Sequence, residues 1–192
     1  PRNTENSVAV EAVRCLDRWL AHWSKGVSTD IMPGAHDPAN YMLPQQPFHQ
    51  FMFPEASQNA SFRSVSNPYA CALDNTQIVG CSGQNVHDLL RCTMIEKPLE
   101  ALRSTLVWGH IAPTAPDTLA CYPYVSSDPL ILHECPHVYF AGNCNTFQTE
   151  IHKGPKGQIT RLICIPSFSR TQSIAVVDLE TLDCKEIKFK VE

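Results

Sequence analysis

The sequence predicts an α/β fold, on three observations. An amphipathic helix is followed directly by a short apolar strand that ends in a Pro-Gly corner, "DIMPGAHDPANY" over residues 30–41. Two later segments, "QIVGCSG" and "HVYFAGNCN", repeat that plan of an apolar strand, a glycine and a polar residue. The C-terminal third alternates apolar and polar residues as strands do. Polar groups gathered at the C-terminal ends of buried strands, with helices packed outside, are α/β organisation. Two sheets with helices outside fit this order. No linker-like stretch interrupts it, so one unit over 1–192 is expected.

The elements follow in order. Residues 8–24 carry Val10, Val13, Leu16, Leu20 and Trp23 on one helical stripe, with Asn6 or Ser7 as cap and Lys25-Gly26 as stop. "VSTDIM" is the first strand. Residues 38–55 hold prolines at 38, 44, 47 and 54 among Tyr41, Phe48, Phe51 and Phe53, so no regular element runs through them. Two readings fit this segment equally: a loop that tucks its aromatics into its own core, or an aromatic surface that docks a partner. "SFRSVS", "YACALD" and "QIVGCSG" read as antiparallel strands, with a turn at Asp74-Asn75. "NVHDLLRC" is a short helix capped by Asn85. "KPLEALRSTLVWGH" is a firmer one, with Pro98 in its first turn and Leu99, Leu102 and Leu106 on one face. "IAPTAPDTLACYPY" is loop, "HVYFAG" is strand, and "GQITRLICIPSFSRTQSIAVVDLETLDCKEIKFKV" is an antiparallel meander turning at "DLETLD".

Composition bounds the function. The chain is 43% hydrophobic with net charge −4, which argues for a globular domain and against a strongly basic nucleic-acid groove. Three lysines in "CKEIKFKVE" read as protection of an edge strand. Nine cysteines, an odd number without zinc spacing, read as reduced thiols of an intracellular protein. No apolar run approaches membrane length, no secretory signal is evident, and the "NAS" triplet at Asn59 carries little weight without one. The opening Pro1 suggests part of a longer protein.

The three corners carry the candidate chemistry. Dimetal hydrolysis of a phosphate ester needs Asp, His and Asn ligands at strand ends. The first corner, Gly34-Ala35-His36-Asp37, has Ala35 where an Asn would offer its amide oxygen. His36 and Asp37 in a turn read first as a local hydrogen-bonding pair. At the second, Ser82-Gly83, a serine hydroxyl is a poor ligand for the usual ions. Its expected role is a turn or cap bond to a backbone N–H. At the third, Gly142-Asn143-Cys144-Asn145, the two asparagines point one way and Cys144 the other. Neutral amides bind transition metals far less well than imidazole, so backbone bonding in a tight corner is expected of them.

"MPGAHDPANYMLPQQP" (32–47), "SGQNVHDLLR" (82–91), "APTAPDTLACYPY" (112–124) and "CPHVYFAGN" (135–143) resemble the B-subunits of replicative DNA polymerases, and among them the small subunits of DNA polymerase delta. The resemblance covers nearly the whole chain. It implies the C-terminal half of a calcineurin-like phosphoesterase domain, with two β-sheets sandwiched by helices. The OB domain and the first half of the phosphoesterase domain fall outside these residues. Active archaeal relatives carry Gly-Asn-His-Asp, His-Gly and Gly-His-x-His at the three corners. Ala35, Ser82, Asn143 and Asn145 stand at those ligand positions here, beside the surviving His36 and Asp37. The resemblance therefore implies a non-catalytic nuclear scaffold with no cofactor or metal of its own. Its partners would be the C-terminal metal-binding domain of the polymerase delta catalytic subunit and a third accessory subunit. Sharing with polymerase zeta, DNA contact only through the complex, and no membrane contact are further expectations. Tyr41, Phe48, Phe51 and Phe53 are the candidate partner interface. An active dimetal phosphoesterase is the alternative, and an isolated fragment with exposed strand edges is a third reading.

Overall fold

The structure, a computed structural model, describes the backbone of residues 2–190 and the side chains of 8–190. It is mixed α/β, and the chain forms two compact units, 1–39 with 46–66, and 40–45 with 67–192.

In the first unit, helix α1 (Arg2–Trp23) is followed by strand β1 (Thr29–Ile31), 3-10 turns at Gln50–Met52 and Ala56–Gln58, and strand β2 (Phe62–Ser64). β1 and β2 pair in parallel, from Thr29 with Phe62 to Ile31 with Ser64. "SFRSVS" is therefore not the antiparallel neighbour of "YACALD". Leu20, Ala21, Phe48, Phe53, Ala56 and Phe62 form the core. The expected stripe on α1 is corrected too. Val13 and Leu20 pack inward, but Val10, Leu16 and Trp23 are exposed, and Trp23 stacks on exposed Trp19. The buried face is turned toward Asp17, Ala21 and Ser24 because these make polar contacts with the 55–61 segment. Asp17 accepts the backbone N–H groups of Glu55 and Ala56 at 3.0 and 2.9 Å. Asn59 donates to the Ala21 carbonyl and the Ser24 hydroxyl, both at 2.8 Å.

The second unit is built on a five-stranded sheet. Its elements are β3 (Tyr69–Leu73), β4 (Thr76–Cys81), α2 (Gln84–Cys92), α3 (Pro98–Trp108), β5 (Val138–Cys144), β6 (Gln148–Lys153) and β7 (Ile159–Pro166). The strand order is β3-β4-β5-β7-β6. β4, β5 and β7 run parallel in the centre, and β3 and β6 are antiparallel at the edges. The expected hairpin at Asp74-Asn75 is present, with Asp74 in the left-handed region at φ 51°. A short helix α4 (Phe168–Thr171) then leads to β8 (Ser173–Val177) and β9 (Cys184–Lys188), which pair only with each other. The tail is thus not one meander. β7 has its neighbours in β5 and β6, and α4 separates it from a second hairpin.

α3 forms as its sequence predicts. Pro98 lies in the first turn, and Gly109, at φ 69°, closes the last turn by donating to the Leu106 and Thr105 carbonyls. Ala101, Leu102 and Leu106 pack with Val86, Leu89, Tyr139 and Leu162 into the main core. The buried Tyr139 hydroxyl pairs with Thr105 Oγ1 at 2.9 Å, and burial raises its pKa well above the ordinary range. Burial also pushes the Cys81 thiol up to about 12, so it behaves as a small apolar group. All nine cysteines are free. No described helix is long and apolar enough to cross a membrane.

Candidate functional site

The first corner belongs to the first unit. Pro33 and Gly34 are buried, whereas Ala35, His36 and Asp37 are exposed. Asp37 does not bond His36 as a pair. Its Oδ2 accepts the Gly34 N–H at 2.7 Å and so closes the turn from within. That is the usual work of an Asp in a tight turn.

The second and third corners lie together in the second unit. β4 ends at Cys81, and Gly83 precedes α2 with φ 101°, a conformation that favours glycine. A Cβ at Gly83 would strike the carbonyl of Gly142, which explains why the two corners can approach so closely. Asn143 Nδ2 then donates to the Ser82 carbonyl at 2.9 Å, and His87 Nε2 donates to the Asn143 carbonyl at 2.9 Å. The expected backbone bond of Asn143 is present. Asn145 is exposed and Cys144 buried, but the segment is not regularly extended: Asn143 has φ 53° where the register shifts between Ala141 and Cys144, and among the described residues Asn145 shows no backbone bond of the expected kind.

Ser82 departs from expectation. Its hydroxyl does not cap a backbone N–H. It meets Gln84 Oε1 and accepts from Asn67 Nδ2 at 2.9 Å, while its own N–H donates to Asn67 Oδ1 at 3.1 Å. Asn67 also donates to Gln45 Oε1 at 2.7 Å, and the two residues exchange backbone bonds. Asn67 and Gln45 are almost wholly buried, so this is an internal amide and hydroxyl network holding the strand end. Asn85, expected as the cap of α2, is also buried; it donates to the Ile111 carbonyl at 2.6 Å, and Gly83 takes the cap position.

These residues do not fit a pair of catalytic metal ions. Ser82 Oγ is a poor ligand and is engaged with two side chains, and Asn143 offers only a neutral amide oxygen. Among the described residues, no group of three or more His, Cys, Asp or Glu side chains could hold a metal ion.

Sequence reasoning missed Asp88, one turn into α2. It is buried and accepts from Arg91 Nη2 at 2.6 Å and from the hydroxyls of Thr114 and Thr118, each at 2.5 Å. Burial alone would raise its pKa, but the two threonines and Arg91 outweigh it and hold the carboxyl below the usual range. Asp88 thereby ties the Pro-rich 112–124 loop to α2. The signal was an acid beside Val86 and Leu89 on the buried face of α2, with threonines in the loop after α3.

The four interface aromatics separate. Tyr41 and Phe51 are each 80% exposed, but Phe48 and Phe53 are 8% and 2% exposed and belong to the core of the first unit. Phe53 meets Phe48 and Phe62 edge to face at 5.5 and 5.9 Å, which withdraws both Phe48 and Phe53 from any docking surface.

The model of the DNA polymerase alpha/epsilon B-subunit family matches residues 3–149. "DNA polymerase delta subunit 2" of Drosophila melanogaster is 64% identical over 183 residues, covering 95% of this chain and 42% of that protein. "DNA polymerase delta small subunit" of Arabidopsis thaliana is 43% identical, covering 98% of this chain and 43% of its own length. The Saccharomyces cerevisiae protein of the same name is 34% identical, with 92% and 42% covered. The chain thus spans less than half the length of these relatives.

Proposed function

Since the chain belongs to the DNA polymerase alpha/epsilon B-subunit family, we propose that it is the C-terminal portion of a non-catalytic accessory subunit of DNA polymerase delta. In this reading it is the second half of a calcineurin-like phosphoesterase domain whose chemistry has been replaced by scaffolding. The protein acts in the nucleus, in DNA replication and repair. It bridges the catalytic subunit, through that chain's C-terminal metal-binding domain, to a third accessory subunit, and it serves polymerase zeta in the same way. DNA is reached through the complex.

The observation that carries the non-catalytic part is the closed pair of corners. Ser82 Oγ is engaged by Asn67 and Gln84, and Asn143 Nδ2 donates to the Ser82 carbonyl, so the two corners are bonded to each other and to the strand-end network. A rigid body of this kind contributes by holding other chains together. Tyr41 and Phe51, the two exposed aromatics of the Pro-rich segment, are offered as partner contacts.

The test is reconstitution of the full-length protein with the purified catalytic subunit, followed by gel filtration. Co-elution of the two chains is expected, and Ser82→Ala should not prevent it if the protein folds. Failure of the wild-type chains to associate overturns the reading.

A further inference from the structure

A second surface of the same unit has the chemistry of a binding site. Between α3 and β5 the chain leaves a half-open cavity of about 230 Å³, lined by His110, Pro116, Tyr122, Pro123, Tyr124 and Asp128 among others. Tyr122 and Tyr124 meet edge to face with ring centroids 5.3 Å apart, and both remain about half exposed. Asp128 stands beside them, 43% exposed at its side chain, with His110 Nε2 2.9 Å from its Oδ2 and the Leu130 N–H on its Oδ1. The prolines supply apolar walls.

The lining itself carries one acid, Asp128, and no Lys or Arg. The nearest basic group tied to this loop is Arg91, whose Nη2 lies 3.4 Å from the Thr118 carbonyl and is already paired with Asp88. The loop is also held in place from below. Asp88 grips Thr114 and Thr118, and the Leu43 backbone pairs with Ala120 and Tyr122 at 3.0 and 2.8 Å.

Two tyrosine rings and a carboxylate around an apolar-walled cavity attract a cation with an aliphatic stem. The ring faces stabilise the charge, the carboxylate adds a Coulombic attraction, and the prolines cover the stem. Nucleic acid is disfavoured in the cavity, because Asp128 repels phosphate and no lining residue is Lys or Arg. We propose that this cavity receives a lysine or arginine side chain of a partner subunit in the polymerase complex. The identity of the partner rests on the accessory-subunit reading; the cationic specificity does not.

Two arms test it on the full-length protein. In the first, N-acetyl-argininamide and its neutral citrulline analogue are titrated while the ring signals of Tyr122 and Tyr124 are followed by NMR. Saturable shifts with the arginine compound alone are expected; no response, or an equal response to both, overturns the cationic site. In the second, affinities for the purified catalytic subunit and third subunit are measured for wild type, Asp128→Asn, Tyr124→Leu and Tyr124→Phe. For one of those partners, Asp128→Asn and Tyr124→Leu should bind about tenfold more weakly, with the Asp128→Asn deficit shrinking at high salt, and Tyr124→Phe should match wild type. Asp128→Asn keeps an acceptor for Leu130, so its melting temperature serves as the folding control. Unchanged affinity of both weakened variants for both subunits overturns the partner role while leaving the accessory reading intact. Wild type that binds neither subunit overturns the accessory reading, and the first arm still judges the cavity.

Discussion

The first and second corners both follow a strand with a glycine and differ in how they use polar groups. At the first, Asp37 is exposed and makes one bond to its own turn, through Gly34. At the second, Ser82 is buried in a network that reaches Asn67, Gln45 and Gln84, and Asp88 just beyond it gathers three donors from a helix and a loop. The first corner keeps residue types that suit a metal, His36 and Asp37, and gives Asp37 local work. The second lacks such types and uses serine and amide groups to bind distant segments together. Polar residues at a strand end can therefore be present for opposite reasons, and only their partners tell which.

Three perturbations sharpen that contrast. Asn67→Ala should have the largest effect, a loss of about 3 kcal/mol, because it leaves the buried Ser82 N–H without its acceptor and removes the donor shared by Gln45, Ser82 and Gln84. Urea denaturation of the full-length protein measures it, and a loss no greater than at the first corner would break the contrast. Asp88→Asn should follow at about 2 kcal/mol, since the donors of Thr114, Thr118 and Arg91 then face a neutral group. Asp88 has its folded pKa lowered, so its contribution is complete above the unfolded value of about 3.9 and is lost as pH falls through the folded value. The urea midpoint of wild type should therefore drop more steeply on acidification than that of Asp88→Asn. The smallest effect belongs to Asp37→Ala, under about 1 kcal/mol, because an exposed turn bond is replaced by water.

Much of the fold was legible where a local signal exists. Pro98 and Gly109 bracket α3, and the Asp74-Asn75 turn makes the β3–β4 hairpin. Orientation in the short strands was not legible. β1 and β2 pair over three residues, too few for periodicity to tell a parallel partner from an antiparallel one. The face of helix α1 could not be read from its apolar residues, because Asp17, outside their stripe, is buried as the acceptor for a turn 38 residues later in sequence. The same long-range packing hid the fate of the aromatics. Phe51 and Phe53 have similar local surroundings, yet only Phe53 finds Phe48 and Phe62. At the candidate site, the lack of ligand types could be read residue by residue. The hydrogen-bond network that stands in their place could not, because Gln45 and Asn67 are remote in sequence from Ser82.

The reading of these corners as scaffold rather than metal site is tested most directly by the metal content of the full-length protein. After purification without chelators and dialysis, elemental mass spectrometry should find Mn, Fe and Zn well below one ion per chain in the isolated subunit. Two tightly bound ions per chain would contradict it.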